Sequence, residues 1–93
     1  MPNYVTLIND LDRGISNMSK TLENAESFVK LAETMGIKVK DIYWTQGQFD
    51  GLAIINAPDS DTVLALMMKY GNVHAHTMRA YSPDEIRDII KRL

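Results

Sequence analysis

The sequence predicts one small α+β domain with the element order βαββαβ and a short helix at the C-terminal end. Stretches rich in β-branched and aromatic residues alternate with stretches in which apolar residues recur every three or four positions. Glycine or proline follows most of these stretches, where a strand or helix has to end. A length of 93 residues allows one domain and no more, so residues 1–93 form a single unit in this prediction.

The first strand and the first helix are predicted from a change in apolar spacing. The segment Tyr4 to Ile8 is rich in residues that suit a half-buried pleated surface. From Ile15 onward the spacing becomes that of a helix, and Gly36 ends this helix in the usual C-terminal way. The apolar stripe of the helix consists of Ile15, Met18, Leu22, Ala25, Phe28, Val29, Ala32 and Met35.

Two further strands with a hairpin between them are predicted in the middle of the chain. They cover Val39 to Thr45 and Leu52 to Ala57. The segment between them, Gln46 to Gly51, contains two glycines and an aspartate, residues that tolerate the positive φ angles of a tight turn. This composition favours an antiparallel hairpin.

The remaining elements are predicted from their capping residues. Asp59 or Ser60 caps a second helix, which Gly71 ends. A fourth strand is expected from Val73 to Ala80. The segment Ser82-Pro83-Asp84-Glu85 then combines a capping box with proline at the first helical position, which predicts a last short helix. The apolar stripe of that helix consists of Ile86, Ile89, Ile90 and Leu93.

This order of elements is the ferredoxin-like pattern, with a four-stranded antiparallel sheet whose first and third strands are central. Both of those strands are apolar on their two faces, whereas two helices can cover only one face of the sheet. The other face needs a cover, and a second copy of the sheet is the simplest one. The residues expected on this second face are Tyr4, Ile8, Leu52 and Ile54.

Several short segments spread over nearly the whole chain carry a resemblance to a known family. They are Tyr4-Val5-Thr6-Leu7, Tyr43-Trp44-Thr45, Gly47-Gln48-Phe49-Asp50-Gly51, Ala57-Pro58-Asp59, Gly71-Asn72-Val73 and Thr77-Met78-Arg79-Ala80-Tyr81. With these segments the chain resembles the GYD family of small bacterial and archaeal proteins, which is named for a Gly-x-Tyr-Asp hairpin. Phe49 stands where the family has the tyrosine, so no phenolic hydroxyl is available at that position.

The resemblance implies a dimeric α+β barrel, in which two ferredoxin-like sheets pack face to face in a homodimer or larger oligomer. The wider barrel group includes cofactor-free monooxygenases, haem-processing enzymes, lactone isomerases and amino-acid-sensing domains. The matching motifs are specific for the fold and imply no particular reaction.

Composition excludes several classes of function. Cysteine is absent, so no disulfide, thiolate metal site or thiol nucleophile can form. The net charge is −2 with both signs mixed along the chain, and no basic patch for nucleic acid is present. An RNA-recognition module is also disfavoured, because the third strand has no aromatic stacking platform. No signal peptide and no apolar run of membrane-spanning length is found, so a cytoplasmic protein is expected.

Asp50 and Arg79 are the charged candidates for a site, and each has a structural alternative. Asp50 is a candidate general base at the mouth of a barrel, or a turn residue that accepts backbone N–H bonds. Arg79 matches the family motif and is a candidate for binding a carboxylate ligand. Alternatively, Arg79 forms an ion pair with Asp50 or with a carboxylate of the C-terminal helix.

The two histidines, His74 and His76, alternate along the fourth strand and are therefore expected on the same face of the sheet. Imidazoles at this spacing can share a transition-metal ion, but such a site needs a third ligand. A pH-sensitive surface or interface pair is favoured over a metal site. We therefore predict no metal site and no cofactor.

The function expected from the sequence is a homo-oligomeric module that is non-enzymatic or binds a small ligand. The alternative is a cofactor-free monooxygenase or isomerase that acts in the barrel cavity. Aromatic and polar strand residues would line a ligand cavity or, equally, a dimer seam. The candidates for ligand binding are Tyr4, Thr6, Trp44, Thr45 and Arg79. The candidates for catalysis are Asp50, Tyr43, His76 and Arg79.

Overall fold

The computed structural model describes residues 1–10, 18–71 and 73–93. The described elements are β1 (Asn3–Asp10), α1 (Met18–Thr34), β2 (Lys38–Trp44), β3 (Gly51–Asn56), α2 (Ser60–Tyr70), β4 (Val73–Ala80) and α3 (Pro83–Ile90). This order confirms the predicted α+β fold with a C-terminal helix. The predicted start of the first helix at Ile15 lies outside the described residues.

The four strands form one antiparallel sheet in the order β2-β3-β1-β4, so β1 and β3 are central as predicted. In the register of the central pair, Tyr4 lies opposite Ile55 and Val5 opposite Ile54. The register between β2 and β3 shifts between Val39 and Asp41, at a β-bulge. The pairing fixes which residues share a face, because directly opposed side chains project to the same side.

The hydrophobic core lies between one face of the sheet and helices α1 and α2. Its buried apolar residues are Tyr4, Phe28, Ala32, Ile37, Ala53, Ile55, Ala57, Val63 and Leu66. Thr6 is the buried polar residue among those described, and its hydroxyl shares a hydrogen bond of 3.2 Å with the Thr77 hydroxyl. A buried hydroxyl with a partner avoids the desolvation cost of an unpaired one.

The faces of β1 differ from the prediction. Tyr4 is only 6% exposed and belongs to the core under the helices, and Ile8 shares its face because strand residues alternate. The residues of β1 on the opposite face are therefore Val5 and Leu7. In a strand that is apolar on both faces, apolar and polar residues do not alternate, so the sequence does not indicate which residues face the helices. A shift of one residue in the assignment places every side chain on the wrong face.

Both later helices begin at the predicted capping residues. The Asp59 carboxylate accepts hydrogen bonds from the backbone N–H and the hydroxyl of Thr62, both at 2.7 Å, and these bonds lower the pKa of Asp59. At α3, Ser82 and Glu85 form the reciprocal capping box. Gly71 ends α2 with a φ of 65°, a left-handed conformation that glycine adopts without strain.

Helix α3 stands apart from the rest of the fold. None of its residues is buried, and it presents a stripe of exposed apolar side chains. The Cα radius of gyration is 14.6 Å, whereas about 12 Å is expected for a compact chain of this length. The exposed apolar residues of the stripe and of the residues after it are Ile86, Ile89, Ile90 and Leu93.

Candidate functional site

A cleft of about 410 Å³ lies between α1, the end of α2 and the adjoining ends of β2 and β3. Its apolar lining includes Phe28, Ile42 and Ala53, of which Phe28 and Ala53 are fully part of the core. The volume falls in the range of about 300–1,000 Å³ that is usual for small-molecule sites. We call this space the cleft.

Hydrogen bonds and ring contacts hold the walls of the cleft. The Trp44 indole N–H donates to the Thr21 hydroxyl at 3.0 Å, which joins β2 to α1. The Tyr70 hydroxyl donates to the backbone carbonyl of Asn24 at 3.1 Å, which joins α2 to α1. The Tyr70 ring also meets Phe28 edge to face, with centroids 5.2 Å apart. The aromatic lining therefore has a defined orientation.

Asp50 lies at the rim of the cleft, at the end of the β2–β3 hairpin. Its backbone N–H donates to Ile8 and its carbonyl accepts from Thr45, both at 2.9 Å. The Thr45 hydroxyl donates to the Phe49 carbonyl at 2.6 Å, and Gly47 has a φ of 103° within the turn. The hairpin is thus closed mainly by backbone groups and Thr45. Asp50 is the charged residue among the described lining residues.

Arg79 lies at the opposite end of the sheet, where β4 leads into α3. Its guanidinium contacts Glu85 of α3 at 2.7 Å and donates to the carbonyl of Asn3 at 3.1 Å. It also stacks on Tyr81, with 4.3 Å from the guanidinium carbon to the ring centroid. The hydrogen bond to Glu85 raises the pKa of Arg79. For Glu85, the bond from the Ser82 backbone and then that from Arg79 lower the pKa. The predicted ion pair with a C-terminal-helix carboxylate is confirmed.

The sheet face that carries no helix has an apolar centre with polar edges. One row across the sheet is Tyr43-Leu52-Leu7-His76, and the next is Asp41-Ile54-Val5-Met78. We call these two rows the open face. None of the described helices packs on it; Met78 is 50% exposed, and the four apolar residues at its centre are partly buried. An apolar centre within a polar rim is the usual anatomy of a protein–protein interface.

His76, at the edge of the open face, packs edge to face against Phe49, with 5.5 Å between the ring centroids. The side chain of His74 lies outside what the structure describes, so the expected pairing of the two imidazoles stays a prediction. In the described part of the chain, no three His, Asp or Glu side chains come together in a group suited to a metal ion.

The structure brings only some of the predicted site residues together. Tyr43, Trp44 and Asp50 line the cleft. Tyr4 and Thr6 are buried in the core, Thr45 closes the hairpin, and Arg79 lies at the far end of the sheet. The helical side of the cleft was not predicted, because Phe28 and Tyr70 lie at apolar helical spacing that is typical of the core, and Thr21 and Asn24 are polar residues that belong to no motif. The missed lining residues include Thr21, Asn24, Phe28 and Tyr70.

The fold and its open face define a ferredoxin-like α+β protein with one sheet face left without helices. The sequence model of the GYD domain matches residues 4–90, and the chain therefore belongs to the GYD family. No curated protein matches the chain at a significant level. Among the described helices, none has the length and apolar character needed to cross a membrane.

Proposed function

We propose that the chain is a homo-oligomeric module in which two copies pair through their open faces, in the manner of a dimeric α+β barrel, and which binds a small ligand. The observation that carries this proposal is the apolar centre of the open face, formed by Val5, Leu7, Leu52 and Ile54 on the two central strands. Central strands with an uncovered apolar face are unusual for a monomer, because contiguous apolar surface of this kind favours association.

The area of the open face indicates that the apolar stripe of α3 contributes to the interface as well. Four strands spaced about 4.8 Å apart, each about seven residues long, give an open face of roughly 440 Å² per copy. Stable interfaces bury at least about 600 Å² per partner. The open face alone falls short of this value, whereas the apolar stripe of α3 adds roughly 120 Å² for a helix of this length. The two surfaces together approach the requirement.

Helix α3 needs packing that its own chain does not provide. A helix of 8 residues is marginal in water and normally owes its stability to an apolar face that packs on something else. The capping box and the Arg79–Glu85 pair hold the first turn in place, but the apolar stripe beyond it stays exposed. We therefore propose that α3 of each copy packs on the other copy.

The test compares two identical substitutions at exposed methionines. Met78→Asp places a carboxylate on the open face, whereas Met68→Asp places one on α2, where the side chain is already 75% exposed. Burying an unpaired carboxylate is strongly unfavourable. We expect the wild type and Met68→Asp to be oligomeric and Met78→Asp to be monomeric in light scattering coupled to size exclusion.

The wild type being monomeric at micromolar concentration would refute the proposal, as would an unchanged oligomer in Met78→Asp. Ile54→Asp, at the centre of the same face, provides a second variant. Circular dichroism of each variant establishes that the fold is retained.

A further inference from the structure

We infer that the free edge of β4 pairs with the β4 edge of a second copy, in an antiparallel register centred on Thr77. The contact runs along a strand edge, so it goes beyond the proposed pairing of the open faces. β4 is an end strand of the sheet, and among the described elements it contacts only β1 and α2. Its outer edge is therefore accessible to another strand.

The hydrogen bonds of β1 establish which backbone groups of β4 point outward. The Pro2 carbonyl accepts from the Ala57 N–H at 3.1 Å on the β3 side, and the Asn3 carbonyl accepts from the Arg79 guanidinium at 3.1 Å on the β4 side. In a strand, the N–H and C=O of one residue point the same way, and successive residues point to opposite sides. The odd-numbered residues of β1 therefore bond to β4.

The register then assigns the backbone groups of β4 itself. Val5 lies opposite Met78 and Leu7 opposite His76, so these two residues of β4 hydrogen-bond to β1. The residues beside them direct their N–H and C=O groups away from the sheet, and no described strand or loop bonds to these groups. The outward row of donors and acceptors belongs to Ala75, Thr77 and Arg79. Such a row is a template for a further strand.

The other edge of the sheet is protected against pairing, whereas the edge of β4 is not. β2 carries exposed Lys38 and Lys40 and a β-bulge, and charged residues and bulges are usual means of preventing edge pairing. β4 pairs with β1 over its 8 residues without a register shift, and it contains neither lysine nor proline. Its permanently charged side chain, Arg79, is held by Glu85.

The side chains of β4 suit a second copy of the same strand. With Thr77 of the two copies opposite each other, Ala75 lies opposite Arg79 and His76 opposite Met78 across the contact. No like charges meet, and a pair of threonines is a favourable cross-strand combination. A register centred on His76 would instead set two imidazoles directly opposite each other. Pairing at Thr77 also continues the rows of the open face, which contain His76 and Met78, into the second sheet.

The contact along one strand edge is small. Roughly five residues of each strand take part, which buries far less than the about 600 Å² per partner of a stable interface. We therefore expect the edge to be the weaker contact and to join open-face dimers at high protein concentration. Met78→Asp is still expected to be monomeric at micromolar concentration.

Two single-cysteine variants test the register, because the chain has no cysteine of its own. In the inferred register, the Cα of residue 76 lies about 4.5 Å from the Cα of residue 78 in the second copy, which suits a disulfide. The two copies of residue 76 would be about 8 Å apart, and sheets packed face to face are about 10 Å apart, which is too far. Mixing His76→Cys with Met78→Cys in a glutathione redox buffer should therefore yield mainly the mixed disulfide, which its mass identifies.

We expect at least about fivefold more mixed disulfide than either homodisulfide, whereas random collision gives only about twice as much. Leu64→Cys with Met68→Cys, at two exposed positions of α2, is the matched control and should give the random ratio. Ala75→Pro, added to both cysteine variants, removes an outward N–H and no bond to β1, so it should lower the ratio to that of the control. Ser60→Pro, at the first helical position of α2, is the proline control and should leave the ratio unchanged.

The inference is overturned if the mixed disulfide does not exceed the random ratio, if either homodisulfide predominates, or if Ala75→Pro leaves the ratio unchanged. If circular dichroism shows that Ala75→Pro does not fold, the ratio in the two parent variants decides alone. A predominant mixed disulfide from a chain that is monomeric at micromolar concentration would support the edge contact and refute pairing through the open faces. The two proposals can therefore fail separately.

Discussion

A substitution in α3 offers the sharpest test of how two copies associate. Ile90 is 57% exposed in the single chain, and no residue of its helix is buried. Ile90→Gln keeps good helix propensity, because glutamine is a slightly better helix former than isoleucine. The stability of the single chain should therefore stay within about 0.5 kcal/mol of the wild type. The affinity between two copies, in contrast, should fall.

The expected loss of affinity follows from the exposed fraction of Ile90. Full burial of an isoleucine side chain contributes about 1.5–3 kcal/mol, so covering the exposed part contributes roughly 1–2 kcal/mol per copy. In a two-fold symmetric dimer the substitution occurs twice, which gives about 2–4 kcal/mol. Since about 1.4 kcal/mol corresponds to a tenfold change, the dissociation constant should rise by roughly thirtyfold to several hundredfold.

Sedimentation equilibrium over a range of concentrations measures the dissociation constant, and urea denaturation at low concentration measures the stability of the single chain. Leu64→Gln is the matched control, because Leu64 is an apolar helix residue of α2 with 60% exposure. It should change neither quantity appreciably. A dissociation constant for Ile90→Gln within a factor of three of the control would refute packing of α3 on a second copy.

Two further predictions concern the single chain. Phe28→Ala removes a buried ring from the wall of the cleft and should lower the free energy of unfolding by about 3 kcal/mol. This value is near the low end for such substitutions, because the space left by the ring opens into an existing cleft. A loss of less than about 1 kcal/mol in urea denaturation would contradict the prediction. Glu85 has a lowered pKa in the folded chain, so its stabilisation of α3 is fully present above its ordinary pKa of about 4.3 and is lost as the pH falls through the lowered value. Glu85→Gln should therefore weaken amide-exchange protection at the start of α3 at pH 7 and remove its acid dependence, and an unchanged acid response in this variant would contradict the assignment.

Elements and caps could be predicted from sequence because their causes are local. The Asp59 cap and the Ser82–Glu85 capping box each involve residues three positions apart, and Gly71 ends its helix through its own backbone freedom. The ion pair of Arg79 could be predicted for the same reason, because its partner Glu85 is only six residues away in the sequence. Interactions between residues this close in the chain can be recognised from their spacing in the sequence.

The cleft and the faces of β1 depend on partners far apart in the chain. The contact of Trp44 with Thr21 joins residues 23 positions apart, and that of Tyr70 with Asn24 joins residues 46 apart. No spacing in the sequence predicts such pairs, because their contact depends on how the helices pack on the sheet. Thr6 illustrates the same limit: its burial is compensated by the Thr77 hydroxyl 71 positions away, so a polar residue occupies a core position.

The distribution of the four catalytic candidates is the reason to propose binding and self-association in preference to catalysis. Tyr43 and His76 share a row of the open face but lie at its two edges, three strand spacings or about 14 Å apart, with Leu52 and Leu7 between them. Asp50 lines the cleft together with Tyr43, and Arg79 is engaged by Glu85 at the far end of the sheet. A general acid and a general base that serve one reaction must each come within about 3 Å of the atoms that exchange protons. Tyr43 and His76 do not satisfy that condition within one chain, so they cannot serve one reaction unless the second copy supplies one of the two groups. A cofactor-free enzyme that uses Tyr43 and His76 therefore depends on the dimer.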